Sequence, residues 1–326
     1  MKQIALMDTS VMSFNIGDQI IMESIHNELS SILKDSFIVN MPTHSPLFHF
    51  WEFSLRGKDS LRINLNNLDL KFVCGTNLLE KNMKKRKNLW NIHMLDSNYI
   101  KDFILVGVGS GPLDTSLNNY TRRLYKRILS SQYTHSTRDE NTKILLEKLG
   151  LKAINTGCPT LWQLTKKHCS MIPTQKSDTV VFTLTDYMEN IKKDEIFINI
   201  LKKNYNNLYY WVQGSKDLDY LQKLNINISE INIISPSLKS YNYFLENNIC
   251  DYVGTRLHAG IKAMQKKKRA IIIGVDNRAR DMHITCNLNY IERNRIDFLD
   301  NMINSEFETK ININFPNIEL FLKQFI

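Results

Sequence analysis

The sequence predicts an α/β protein of two domains, and three observations carry that prediction. Strand-like apolar runs alternate with helix-like amphipathic segments nearly throughout, the pattern of helices packed on mainly parallel sheets. The 326 residues exceed one ordinary core and suit two. A polar stretch from Lys166 to Ser177, interrupted by Pro173, reads as a linker between two alternating series. The expected domains are 1–168 and 176–326, with the C-terminal helix packing back on the first.

In the first series, Gln3 to Met7 is a short apolar strand. The loop Asn15-Ile16-Gly17-Asp18 follows. A helix then places Ile21, Ile25, Leu29 and Leu33 at helical spacing. Phe72 to Asn77 reads as strand then turn, and Phe103 to Val106 as a strand ending in the glycine turn Gly107 to Pro112. Thr137-Arg138-Asp139-Glu140 has the form of a capping box, with Thr137 as the cap. Its helix is expected to bury Ile144, Leu145 and Leu149 and to stop at Gly150. Ala153-Ile154-Asn155 and a Gly157-Cys158-Pro159 turn complete the series. The second runs through strands at Thr179–Thr183, Leu208–Val212, Ile231–Ile234, Asn248–Val253 and Ala270–Val275, and ends in an amphipathic helix over Ile318–Ile326.

Composition narrows the class. With 43% hydrophobic and 23% charged residues, the chain reads as a soluble globular protein. No apolar run approaches the roughly 18–20 residues that span a bilayer. Asp8 interrupts the N-terminal apolar stretch and no small-residue cleavage site follows, so no signal peptide is expected and the cytoplasm is the expected location. Five cysteines without a C-x-x-C pair indicate neither a disulfide framework nor a zinc site; Cys74 and Cys250 sit in apolar runs and read as buried. The formal charge of +9 favours an anionic partner: a phosphorylated small molecule, an anionic membrane surface or nucleic acid. Basic clusters at Lys84–Lys87, Arg122–Arg127 and Lys266–Arg269 read first as solvated faces. The second interleaves Leu124 and Tyr125 and so suggests peripheral contact with lipid headgroups. No nucleic-acid-binding module is recognisable.

The most distinctive segment is Gly254-Thr255-Arg256-Leu257-His258-Ala259-Gly260, between a strand and a helix. Thr255 is the expected N-cap, which places Arg256 and His258 in the first turn. Free N–H groups and the positive end of the helix dipole suit an anion there. An added arginine and histidine suggest a phosphate or carboxylate ligand beside a proton donor. In open α/β sheets ligands bind beyond the carboxyl ends of strands, where Asn15–Asp18, Thr76-Asn77, Gly107–Pro112 and Asp276-Asn277-Arg278 also fall. Asp18 reads equally as a cap and Asp276 equally as a turn residue. Arg138 in a first helical turn works against the dipole, which weakly favours function. Gly107–Gly111 lacks the G-x-G-x-x-G spacing and no Walker A sequence occurs, so neither NAD nor a P-loop is indicated. The Asp217-Leu218-Asp219 pair is taken as solvated surface.

Together these turns resemble the polysaccharide pyruvyl transferase family. The resemblance rests on Asn15-Ile16-Gly17-Asp18, Gly75-Thr76-Asn77-Leu78-Leu79, Gly109–Pro112, Ser136–Glu140, Gly157-Cys158-Pro159, Thr255–Ala259 and Asp276-Asn277-Arg278, in family order over about residues 10–285. It implies two Rossmann-like domains in a GT-B-like arrangement with a cleft between them, the first on the acceptor side and the second on the donor side. It also implies transfer of pyruvyl from phosphoenolpyruvate to two hydroxyls of a surface glycan, such as a capsule or exopolysaccharide, or of its lipid-linked precursor at the inner membrane face. Arg256 and His258 match the family's donor-binding and catalytic element. Cys158 stands where members often carry Asp, and Arg278 where many carry Lys.

On this reading His258 is the catalytic acid or the partner of the departing phosphate, and Asp18 a base for a hydroxyl. Arg256, Arg138, Thr255 and Arg278 bind the donor, and Asn15, Gly17, Asn77 and Asp276 line the cleft or hold the acceptor. No metal and no cofactor are expected. Two alternatives stand beside it: a GT-B glycosyltransferase using a nucleotide sugar, and a non-enzymatic lectin-like or scaffold protein.

Overall fold

The computed structural model describes residues 1–48, 65–84, 89–110 and 117–326. Gly111 and Pro112 of the glycine turn, and 85–87 of the first basic cluster, lie outside them. The chain divides into two compact units: unit 1 comprises residues 1–13, 21–162 and 314–326, and unit 2 comprises 14–20 and 163–313.

Unit 1 is built on β1 (Lys2–Asp8), β2 (Ser36–Pro42), β3 (Leu70–Leu79), β4 (Ile104–Ser110), β5 (His135–Thr137) and β6 (Ala153–Asn155). They form one parallel sheet in the order β2-β1-β3-β4-β5-β6. Among the described residues the helices between them are α1 (Gly17–Glu28), whose residues up to Ile20 belong to unit 2, α2 (Ser30–Leu33), α3 (Asn119–Ile128) and α4 (Glu140–Glu147). The strands are apolar on both faces because helices cover both. Gly107 to Ser110, expected in a turn, continue β4.

Two local expectations change here. Helical spacing sends Thr121, Leu124, Tyr125 and Ile128 of α3 into the core and leaves Arg122, Arg123, Lys126 and Arg127 outside. The leucine and tyrosine that suggested lipid contact are therefore core residues. The cap of α4 is Asp139, whose carboxylate accepts from Thr142 N at 2.8 Å; Thr137 ends β5 and spends its hydroxyl on the carbonyls of Asp139 and Ile154. Arg138 thus precedes the helix, and no conflict with its dipole arises. α4 buries Leu146 and is followed by buried Leu149, with Ile144 and Leu145 half-buried. Gly150 ends the turn at φ +80°, which glycine adopts without strain.

Unit 2 contains α5 (Lys166–Cys169), β7 (Thr179–Thr183), α6 (Ile191–Asn204), β8 (Asn207–Trp211), α7 (Asp217–Lys223), β9 (Ile231–Ile234) and α8 (Leu238–Asn247). It continues with β10 (Asp251–Gly254), α9 (Leu257–Gln265), β11 (Ala270–Gly274), α10 (Asn277–Cys286), β12 (Tyr290–Glu292) and α11 (Leu299–Asn304). Its parallel sheet runs β12-β11-β10-β7-β8-β9. The chain proceeds outward from β7 to β9, then returns to the other side of β7 as β10. The β7–β10 junction is therefore the topological switch point, where an open α/β sheet leaves a crevice for ligand. Arg269 of the third basic cluster is 1% exposed, not solvated: it pairs with Asp251 at 2.9 Å and donates to the carbonyls of Met302, Ile303 and Ser305.

The last helix, α12 (Phe315–Lys323), belongs to unit 1. Phe321 packs edge-on against Trp162 at 6.4 Å and Asn317 Nδ2 donates to Asn155 O at 2.8 Å. Among the described residues no helix is long and apolar enough to cross a membrane.

Unit 1 carries a built-in pH dependence. His135 is fully buried in β5, with Nδ1 accepting from Leu105 N at 3.2 Å and Nε2 directed at Ser130 O at 2.9 Å. That pattern requires the neutral ring with the proton on Nε2. Burial pushes the imidazole down to about 4, against the opposing pull of the Ser130 carbonyl. The unfolded chain, with an ordinary histidine near 6.5, then binds the proton more readily than the folded one. Stability contributed by neutral His135 is expected to be whole above pH 6.5 and to drain as pH falls toward 4, by about 3 kcal/mol in all. Urea midpoints for the wild type and His135→Gln across pH 4–7 check this; parallel profiles for the two would count against it.

Candidate active site

The crevice at the switch point is lined by Asn15, Tyr187, Gln213, Thr255, Arg256, Leu257, His258, Val275, Asp276, Arg278 and Ala279, all within unit 2. Its floor is set by the sheet. Gly254 pairs with Thr183 across β10 and β7, and a Cβ at Gly254 would stand 2.5 Å from Thr183 Oγ1 and 2.8 Å from Tyr252 Oη. Those two hydroxyls meet at 2.7 Å above the glycine. Thr183 Oγ1 accepts from Arg256 N at 3.2 Å, and Tyr252 Oη donates to Arg256 O at 2.7 Å. Arg256 is thereby held as the N-cap residue of α9, with φ −89° and ψ 103° and no side chain capping the helix. Thr255, the expected cap, instead continues the sheet through its N–H to Thr183 O and shares a hydroxyl bond with Thr185 at 2.8 Å.

The Arg256 side chain is 4% exposed and heavily engaged. Nε donates to Asp217 Oδ2 at 3.0 Å and to Leu184 O at 3.1 Å, and Nη2 donates to Asp186 Oδ1 at 2.8 Å and to Asp217 Oδ1. Asp217, taken from the sequence as solvated, is fully buried. Besides Arg256, its carboxylate accepts from Gly214 N at 2.6 Å and Asp186 N at 3.2 Å. Burial pushes the Asp217 carboxyl upward while Arg256 and the two N–H groups oppose it. The guanidinium resists its own burial through Asp217 and is held above its ordinary value. Gly214 makes the pair possible: a Cβ there would lie 2.2 Å from Arg256 Nη2.

On the opposite wall Asp276 caps α10 by accepting from Arg278 N at 3.0 Å, and accepts from Arg278 Nε and Nη2 at 3.0 and 2.6 Å. Against its burial, Arg278 holds the Asp276 carboxyl below its ordinary value. Arg278 Nη2 also donates to Tyr187 Oη at 2.5 Å, and the Arg256 guanidinium stands 5.0 Å from the centre of the same ring. His258 lies half-buried in the first turn of α9.

The segment around Asn15 belongs to this site. Asn15 bridges Gly214 antiparallel, Ile16 N donates to Gln213 O at 3.0 Å and Ser215 N to Phe14 O at 3.0 Å. Gly17 opens α1, and Asp18 is 8% exposed in its first turn and not part of the pocket lining. Asn77 and Arg138 meet in unit 1 instead: Arg138 Nη2 donates to Asn77 Oδ1 at 2.5 Å over Gly109, whose Cβ would stand 2.4 Å from that oxygen. Thr76 beside them adopts φ +100°, a strained value for a β-branched residue. Cys158 is buried, with its sulfur accepting from Thr160 Oγ1 at 3.1 Å.

Sequence reasoning missed Asp186, Tyr187, Gln213 and the role of Asp217. The available signal was Gln213-Gly214, a strand-end turn after β8 equivalent in position to the turns that were recognised. Among the described residues no group of three or more His, Cys, Asp and Glu is placed to hold a metal ion.

The family model for polysaccharide pyruvyl transferase matches residues 15–277, from Asn15 to the first residue of α10. The chain belongs to the polysaccharide pyruvyl transferase family. It is thus a member of a family of transferases of polysaccharide biosynthesis, and its pocket is lined by Arg256, Leu257 and His258 together with Asn15, Asp276 and Arg278. No curated protein sequence matches the chain significantly. Among solved structures, UDP-GlcNAc 2-epimerase of Methanocaldococcus jannaschii is 15% identical, with 99% of this chain and 98% of that one covered at a TM-score of 0.53. This establishes the fold, two parallel-sheet α/β units of the GT-B class. UDP-GlcNAc 2-epimerase of Neisseria meningitidis is 13% identical, with 94% and 95% covered and a TM-score of 0.46. The E. coli heptosyltransferase WaaC is 10% identical, with 93% and 100% covered and a TM-score of 0.44.

Removing one charge from the buried pair leaves the other uncompensated, which costs about 3–5 kcal/mol. Asp217→Asn is expected to lose that much stability, while Asp219→Asn on the exposed side of α7 stays within about 0.5 kcal/mol of wild type. Urea unfolding of the two variants is the check, and equal effects would contradict the assignment of Asp217 as the buried partner.

Proposed function

We propose that this member of the family transfers a pyruvyl group from phosphoenolpyruvate to two hydroxyls of a sugar in a surface glycan or its lipid-linked precursor, forming a cyclic ketal and releasing phosphate. The observation that carries the proposal is the family's R-L-H element at the uncapped start of α9, in the switch-point crevice and beside Arg278.

The chemistry suits such a site. Phosphoenolpyruvate carries a phosphate and a carboxylate close together. The N–H end of α9 favours one anionic group, and the Arg278 side chain, 39% exposed, is accessible to the other. Arg256 adds positive potential from below while Asp217 and Asp186 fix its position. Transfer begins with a proton delivered to the methylene carbon, which leaves an oxocarbenium-like centre at the adjacent carbon. One sugar hydroxyl adds there, phosphate departs, and the second hydroxyl closes the ring. Of the two hydroxyl protons released, one balances the proton taken up by carbon and the other leaves on phosphate. His258 is the proton donor on this proposal, acting from the first turn of α9. Arg138 and Asn77 of unit 1 remain proposed donor and acceptor contacts, and Asp18 a proposed base.

Purified protein incubated with phosphoenolpyruvate and a cell-envelope glycan extract is expected to release phosphate only when both are present. His258→Ala is expected to slow that release by about 10²–10⁴-fold with an unchanged melting temperature. Transfer from a nucleotide sugar alone would overturn the proposal in favour of a glycosyltransferase. Equal rates for wild type and His258→Ala would remove the histidine from the chemistry.

A further inference from the structure

One buried polar atom of a residue that lines the crevice has no hydrogen-bond partner among the described residues, and the local hydrogen bonds dictate its chemical type. Gln213 follows β8, is 3% exposed and lines the same pocket as His258 and Arg278. The side-chain oxygen of Asn15 accepts from Gly17 N at 3.1 Å. A backbone N–H can only donate, so this contact fixes which end of the Asn15 amide is oxygen. That same oxygen stands 2.8 Å from the Gln213 amide, which must therefore present its NH₂ group. The other end of the Gln213 amide, Oε1, is then a buried acceptor without a hydrogen bond among the described residues. Gly17 permits the arrangement: a Cβ there would be 2.9 Å from Gln213 Nε2. An unsatisfied buried acceptor costs about 1–3 kcal/mol, a cost that a bound donor removes.

Phosphoenolpyruvate cannot supply that donor at neutral pH, because its ionised phosphate and carboxylate present acceptor oxygens only. A sugar hydroxyl can. We propose that Gln213 is a specificity-determining residue whose Oε1 accepts a hydrogen bond from a hydroxyl of the acceptor sugar, its amide orientation locked by Asn15 and Gly17. The crevice is then divided by hydrogen-bond polarity. The N–H end of α9 and Arg278 take the anionic donor, and the Gln213 side takes the hydroxylated acceptor. The inference rests on the pyruvyl-transfer reading for the identity of the ligand, but the orientation of the amide does not.

The test measures phosphate release with phosphoenolpyruvate and a cell-envelope glycan extract, each titrated in turn, for wild type, Gln213→Met and Gln213→Glu. Methionine keeps the volume and removes the acceptor. Glutamate keeps an acceptor oxygen and loses the donor to Asn15. The expected result for methionine is a threefold to tenfold rise in the extract concentration giving half-saturation, the worth of about one net hydrogen bond. The half-saturating phosphoenolpyruvate concentration should stay at the wild-type value, and glutamate should fall nearer wild type than methionine. An unchanged extract titration for methionine overturns the proposal. So does a matching rise for phosphoenolpyruvate, or an equal defect in both variants, which would mark the bond to Asn15 as the important one. If the wild type releases no phosphate, the pyruvyl-transfer reading fails instead, and glycan-array binding decides the role of Gln213. Binding by wild type that is weakened in the methionine variant supports it; no binding, or equal binding, overturns it.

Discussion

The candidate site depends on one buried ion pair, Arg256 with Asp217. The carboxylate accepts from the Arg256 side chain and from Gly214 N and Asp186 N. These donors come from the loops after β8 and β7 and from the residue that starts α9. Removing two charges from water costs several kcal/mol per ion, and only complete hydrogen bonding in good geometry offsets it. The loops are therefore not independently movable: displacing any one leaves a buried group unpaired. The start of α9 inherits its position from this constraint, and the Thr183 and Tyr252 hydroxyls beneath it reinforce the same backbone at Arg256.

The pair also shapes the electrostatics of the pocket. Arg256 and Arg278 stand among Asp186, Asp217 and Asp276, so without His258 the three carboxylates outnumber the two guanidinium groups. The chain's net +9 is not concentrated at this crevice. What distinguishes the crevice is directed dipoles: the uncapped amino end of α9, and a Gln213 amide whose polarity is dictated by its neighbour. Such groups are oriented before any ligand arrives and need no reorganisation when charge develops, which is where enzyme electrostatics gain most.

Much of this was legible in the chain. Alternating periodicities gave the parallel α/β order because a strand buried on both faces and a helix with one apolar stripe leave local patterns. The short turns at Asn15, Asp276 and Arg256 were recognisable because glycine, asparagine and aspartate at strand ends carry local conformational information. Caps were less legible. Thr137 and Thr255 have the right residue type, yet Thr137 ends β5 and Thr255 directly follows β10, and their hydroxyls go to sheet carbonyls or to a neighbouring hydroxyl. Within the basic runs the cations of α3 stay exposed, but its periodicity buries Leu124 and Tyr125, and Asp251 takes Arg269 into the core.

The sequence by itself determined the succession of elements, the family and the presence of an arginine and a histidine at a helix start, because each is written within a few consecutive residues. Only the tertiary structure decided what those residues touch. Asp217 is 39 positions from Arg256, Asp186 is 70, and Asn15 is 198 from Gln213. Burial and hydrogen-bond partnership are properties of the packed sheet, in which β10 returns beside β7 and brings the loops after both strands to one crevice. Asp217 reads as solvated in a polar stretch and becomes the most constrained carboxylate of the site once that return is made.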